Sequence, residues 1–183
     1  MPLRVITPAT ADAVTLALIK QNCRLEVEDT SQDGLFKLLL SAVTEEFEQQ
    51  TSRQLCIATW ELVLPGFVAE VFLEKTPVRS IESVKYYDAN NVQQTLDASL
   101  YDVNKAAHPA QVIFKEMPAT YERHDAVIIR FDAGYDNDKV PEDIQLAITV
   151  YVTQRYLTPG NHVDKLPTYF TRQVRNNRIW KQK

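Results

Sequence analysis

Residues 34–65, "GLFKLLLSAVTEEFEQQTSRQLCIATWELVLP", contain the change of period on which the fold turns. Leu35, Leu38, Leu39, Ala42, Val43 and Phe47 recur at steps of three and four, which gives a helix one wide apolar stripe. Asp33 stands just before this run as a natural N-cap. Glu45, Glu46 and Glu48 are spread around the same helix, so they read as a solvated face and not as an acid/base pair. From Leu55 onward apolar and polar residues alternate, the period of a strand with one buried face. One helix therefore feeds directly into a β region.

Toward the C-terminus the strand period persists. "CIATWELVLP", "EVFLEKTPV", "SIESVKYYD", "VQQTL", "LYDVNK", "AQVIFK" and "AVIIRFDAGY" all read as strands, punctuated by Pro, Asn and Asp. "YYDANNVQQT" reads as a hairpin, because Asn90 and Asn91 tolerate the positive φ of tight turns. Residues 55–135 are thus a mainly antiparallel sheet region. Helical spacing returns in "KVPEDIQLAITVYVTQRYL", residues 139–157, with Pro141 in the first turn and Glu142 and Asp143 at the positive end of the helix dipole. Its expected buried face is Ile144, Ala147, Ile148, Tyr151, Val152 and Tyr156, and Pro159–Gly160 ends it. A shorter helix begins at Thr15, with Leu16, Ile19 and Cys23 on one face and Leu18 beside them.

The fold class is α+β. Residues 1–54 and 140–164 are expected to form a discontinuous helical core, residues 55–139 an inserted, mainly antiparallel β domain, and residues 165–183 an extended basic docking tail. A length of 183 residues with 45% hydrophobic and 24% charged composition suits one globular body. No stretch reads as a secretory leader or reaches the ~20 apolar residues of a membrane span. Cys23 and Cys56 lack CxxC spacing, which fits buried thiols in a reducing compartment such as the cytoplasm.

Catalytic and cofactor motifs are absent. His108, His124 and His162 lie in loops without metal-ligand spacing, and there is no GxSxG, GxxxxGK[ST], GxGxxG or HExxH. "FDAGYDND" carries Asp132, Asp136 and Asp138 but lacks the alternation and closing Glu of a calcium loop, so it reads as a turn at Gly134 followed by a solvated loop. No catalytic residue, cofactor or metal is expected.

What stands out is the end of the chain. Between Lys165 and Lys183 there are six Lys and Arg and no acid, although the whole chain carries a formal charge of −4. Arg172, Arg175 and Arg178 step by three, with Tyr169, Phe170, Val174, Ile179 and Trp180 among them. Three readings compete: a solubilising tail, a nucleic-acid-binding tail, or an arm that docks on an acidic protein or a neighbouring copy. Disordered tails are poor in aromatics, and the acidic body repels DNA. Arg and Trp are common anchors of protein contacts, so the docking arm is preferred. Such an arm is expected to be removable at Leu166 without unfolding the rest.

The order of motifs resembles the tailed-bacteriophage head–tail connector (adaptor, or head completion) family over about Thr15 to Tyr156. The resemblance rests on Glu48, Thr51, Arg53 and Leu55 at the end of the long helix, on "L.K.PV.SI.SV.YYD" from Leu73 to Asp88, and on "F.AGY…VP..I..AI...V...Y" from Phe131 to Tyr156. It implies a non-enzymatic virion protein that forms a ring, commonly dodecameric, beneath the portal. Such a ring extends the DNA channel and offers a platform to a stopper or tail-terminator protein. The implied partners are the portal protein, neighbouring copies, the stopper, and genomic DNA passing without sequence-specific binding; no membrane is implied. Leu38, Leu39, Val43, Phe47, Ile144, Ile148 and Tyr151 are then expected in the ring-core helices. Tyr169, Phe170, Arg172, Arg175, Arg178, Trp180 and Lys181 are expected to dock on the portal or a neighbour. The alternative is a DNA-binding packaging accessory acting through the same basic tail; a small hydrolase with a dispersed site is a more distant one.

Overall fold

The computed structural model describes residues 2–136, 139–158 and 166–179. The chain divides into two compact units: Met1–Ala9, Ile57–Gly134 and Ile179–Lys183 in one, Thr10–Cys56 and Tyr135–Arg178 in the other.

The first is a β unit. In chain order it contains β1 (Leu3–Thr7), β2 (Ala58–Leu64), β3 (Glu70–Leu73), β4 (Val78–Tyr87), β5 (Gln93–Thr95), β6 (Tyr101–Asn104), β7 (Ala110–Phe114) and β8 (Val127–Ala133). All seven expected strands form, and every ladder between them is antiparallel. They make two sheets and not one: β1-β2-β8-β4-β5 and β3-β7-β6. The eighth strand, β1, was not legible as a strand; it pairs with β2 at a sheet edge, where most of its side chains stay exposed.

Alternation in β8 explains how the unit packs. Val127, Ile129, Phe131 and Ala133 are buried, and they join Leu62, Leu64, Val71, Leu73, Val84, Val112 and Phe114 in one core shared by both sheets. Each fully buried aliphatic or aromatic side chain contributes about 1.5–3 kcal/mol. The intervening residues carry a polar network. Glu61 on β2 accepts from Arg4 Nε at 2.9 Å on one side and from Arg130 Nε at 2.9 Å on the other. Asp132 accepts from Thr59 Oγ1 at 2.8 Å and Ser80 Oγ at 3.1 Å. Asp132 is therefore a cross-strand tie within the sheet. The β4–β5 hairpin turns as expected, with Asn91 at φ 61° and Asp88 Oδ1 accepting from Asn90 N and Val92 N. Gly134 adopts φ 123°, as the turn out of β8 requires.

The second is a helical unit of α1 (Leu16–Asn22), α2 (Asp33–Thr51), α3 (Glu142–Leu157) and α4 (Thr168–Asn177). Thr15 caps α1, its hydroxyl accepting from Leu18 N at 3.3 Å. Asp33 is not the cap of α2: that position is Gln32, which makes no side-chain cap bond. Asp33 instead pairs at 2.6 Å with Lys20, which is buried and also donates to the carbonyls of Val27 and Asp29 at 2.9 and 2.7 Å. A buried ammonium must find three acceptors; the loop between α1 and α2 supplies two of them and Asp33, at the start of α2, the third.

The buried face of α2 also differs from the expected stripe. Phe36, Leu40, Val43, Phe47 and Thr51 are buried, whereas Leu35, Leu38 and Ala42 are exposed and Leu39 half-buried. Two apolar stripes run along this helix, and α3 covers the one that begins at Phe36. The face of α3 agrees with expectation: Ile144, Ala147, Ile148, Tyr151 and Val152 are buried, and Tyr156 lies 4.6 Å from the ring of Phe36. Pro159 and Gly160 lie outside the described residues.

Candidate functional site: a cationic docking face

The basic C-terminal segment is not a free arm over Leu166–Ile179. Residues Thr168–Asn177 form α4, which packs into the helical unit through Phe170, Gln173 and Val174. Phe170 is fully buried, its ring 4.7 Å from Tyr151 and 5.8 Å from Phe47. Its side chain thus belongs to the core of its own chain, contrary to its expected place in a docking contact. Removal at Leu166 would strip this core and leave Phe47 and Tyr151 uncovered.

The C-terminal end of α4 is tied down by Arg53. Its Nε donates to the Asn177 carbonyl at 2.8 Å and its Nη1 to the Tyr135 hydroxyl at 3.1 Å. Helix ends leave such carbonyls without partners and carry partial negative charge, so a guanidinium suits the position. The rest of the Glu48–Leu55 motif shapes the corner that places Arg53. Thr51 Oγ1 donates to the Phe47 carbonyl at 2.7 Å, Ser52 turns left-handed at φ 60°, and Glu48 Oε1 accepts from Leu55 N at 2.7 Å. The neighbouring Cys56 is buried, and burial, with Glu48 and Asp12 adding, pushes its thiol up to about 11. It stays a neutral thiol at physiological pH.

With its apolar side buried, α4 presents Thr168, Thr171, Arg172 and Arg175 outward, spaced one helical turn apart. Together with Leu166 they line a groove of about 510 Å³. Arg172 lies over the Tyr169 ring at 4.8 Å, which holds the guanidinium in place while leaving its donors available. Among the described residues neither Arg172 nor Arg175 is paired with a carboxylate. Arg178 is exposed and belongs to a different backbone, since the helix ends at Asn177 and Arg178 is extended. Trp180 and Lys181 lie outside the described residues. The face is a fixed pair of cations flanked by hydroxyls and suits carboxylates or phosphates.

No family model and no curated protein matches the sequence. Solved structures do match. A chain in the neck of an empty gene transfer agent particle, computed with C6 symmetry, superposes with a TM-score of 0.83 at 18% identity, covering 100% of this chain and 98% of that one. The fold is that of a particle-neck chain. A chain in the virion of the native gene transfer agent particle gives 0.81 at 19% identity, and one in the native neck computed with C12 symmetry gives 0.75 at 19%, both with the same coverage. The expected resemblance to head–tail connectors is thus borne out at the level of the fold.

Within this fold the residues expected in ring-core helices fall into two groups. Val43, Phe47, Ile144, Ile148 and Tyr151 form the core of a single copy, while Leu38 is 67% exposed. Among the described residues no cluster of three His, Cys, Asp or Glu could hold a metal ion, and no helix is long and apolar enough to cross a membrane. Sequence reading missed α4 as a packed helix. The signal was present in Phe170 and Val174, four residues apart, followed by Asn177, but the arginines between them dominated the reading.

Proposed function

We propose that this chain is a structural neck component of a phage-like particle, a ring-forming adaptor that joins the head's portal to the proteins below it. The observation that carries this reading is the full-length superposition on neck chains, end to end in both partners, at TM-scores up to 0.83. A protein that shares a neck chain's whole architecture without inserted domains has the surfaces of a joint. In this reading each copy contacts its neighbours in a closed ring, and the α4 groove takes an acidic segment of the portal. The overall charge of −4 suits a channel wall that DNA passes without adhering. Stopper or tail-terminator proteins then dock on the ring's far side, and no chemical step is assigned to any residue.

The groove also supports the rival reading, since two arginines with adjacent threonine hydroxyls can bind phosphates. Charge reversal separates the two. The double variant Arg172→Glu/Arg175→Glu changes only exposed side chains, so it is expected to stay folded. As an adaptor it fails to complete portal-bearing heads, and the parent protein shows little DNA affinity at any salt. Normal head completion by the double variant would overturn portal docking through this face. Tight, steeply salt-dependent DNA binding by the parent would instead favour the packaging accessory.

A further inference from the structure

We propose that the α4 groove takes one face of a short acidic helix, with two carboxylates three or four residues apart and a large apolar side chain one turn from them. Which protein carries that helix rests on the adaptor reading above; its chemistry is set by the groove. Arg172 and Arg175 stand three positions apart on α4, so their side chains emerge about 5–6 Å from each other. Carboxylates at the same spacing on a facing helix meet them one to one, in charge-assisted hydrogen bonds. Both arginines are exposed, and among the described residues neither is paired with a carboxylate of its own chain. The Tyr169 ring, 4.8 Å from the Arg172 guanidinium, narrows the directions in which that group can point.

The groove is not purely ionic. Leu166, half-buried, forms its wall ahead of the first turn of α4, and about 510 Å³ leaves room for several side chains. A ligand that pairs with the arginines alone leaves Leu166 facing water, whereas an apolar side chain beside the carboxylates covers it. Phosphates fit less well. The Thr171 hydroxyl already donates to the Pro167 carbonyl at 3.2 Å, so it offers an anion no proton. The same helical unit also exposes Glu26, Glu28, Asp29, Glu45, Glu142 and Asp143. Duplex DNA carries one charge per ~1.7 Å of its axis, and these acids oppose it along its length. A helix with two carboxylates brings charge only to the arginines.

Fluorescence anisotropy with the full-length chain and labelled helical peptides tests this. One probe carries a leucine, a glutamate four residues on and a second glutamate three residues after that; another carries them in reverse order. Controls replace the leucine by serine, both glutamates by glutamine, or both by lysine. The better probe is expected to bind, and the serine and glutamine controls to bind about tenfold or more weakly. Leu166→Ser in the chain should weaken the probe and leave the serine control unchanged, a coupling that general damage to the fold does not produce. Arg172→Glu/Arg175→Glu should lose the probe and gain the lysine control. Equal binding of probe and serine control would overturn the mixed chemistry in favour of ionic capture alone. A DNA duplex that outcompetes the probe at physiological salt would overturn the peptide assignment in favour of phosphates. No probe binding at any concentration would overturn the proposed segment, and portal docking would still stand if Arg172→Glu/Arg175→Glu failed to complete heads.

Discussion

Arg53 holds α4 in place with two hydrogen bonds, and it does so from a corner built by Glu48, Thr51 and Ser52. Substituting Arg53→Lys removes the forked geometry and leaves the Asn177 carbonyl or the Tyr135 hydroxyl unpaired. A loss of about 1–2 kcal/mol is expected in urea unfolding, with faster amide exchange confined to Phe170–Asn177. Unchanged exchange there would refute the anchoring role. Glu61 is the second informative residue. Burial raises its carboxyl pKa, but the hydrogen bonds and charges of Arg130 and Arg4 outweigh burial and leave it below the ordinary value. A depressed carboxyl adds stability that is fully present above the unfolded value of about 4.3 and is lost as pH falls through the folded value. Glu61→Gln is therefore expected to destabilise at neutral pH and to flatten the acid limb of the stability profile. A variant profile parallel to the parent's from pH 6 to 3 would contradict this.

At the scale of elements, α2 and α4 show what a sequence can and cannot disclose. The period of α2 is plain in its sequence, but Leu35, Leu38, Leu39 and Ala42 form as good a stripe as Phe36, Leu40, Val43 and Phe47. Which stripe faces inward is decided by the partner helix, so periodicity alone left the choice open. In β8 the ambiguity is smaller, because Val127, Ile129, Phe131 and Ala133 alternate with Ile128, Arg130 and Asp132, and the stretch reads as a strand from its period. The edge strand β1 lacks alternating burial and left no such mark. The lesson of α4 is energetic. Phe170→Ala is expected to cost about 3–5 kcal/mol, visible as a large drop in the urea midpoint. Arg172→Glu/Arg175→Glu should shift the same midpoint by no more than about 0.5 kcal/mol. Equal losses from the two variants would mean that the arginine face is structural and not a docking face.

At the scale of the whole molecule, the β unit packs two sheets on one core, and the helical unit carries a cationic groove and an exposed apolar stripe on α2. Motif order alone reached the resemblance that the fold bears out, because helix–strand–helix succession and turn residues are local. The surfaces were less legible, since exposure depends on contacts between residues far apart in the chain. Electron cryomicroscopy of intact particles assembled with this chain decides the matter. A ring of this fold at the neck is expected, with Arg172 and Arg175 of each copy against carboxylates of the portal. A resolved neck without density for this chain, or one in which the α4 groove faces only solvent, would contradict the proposal.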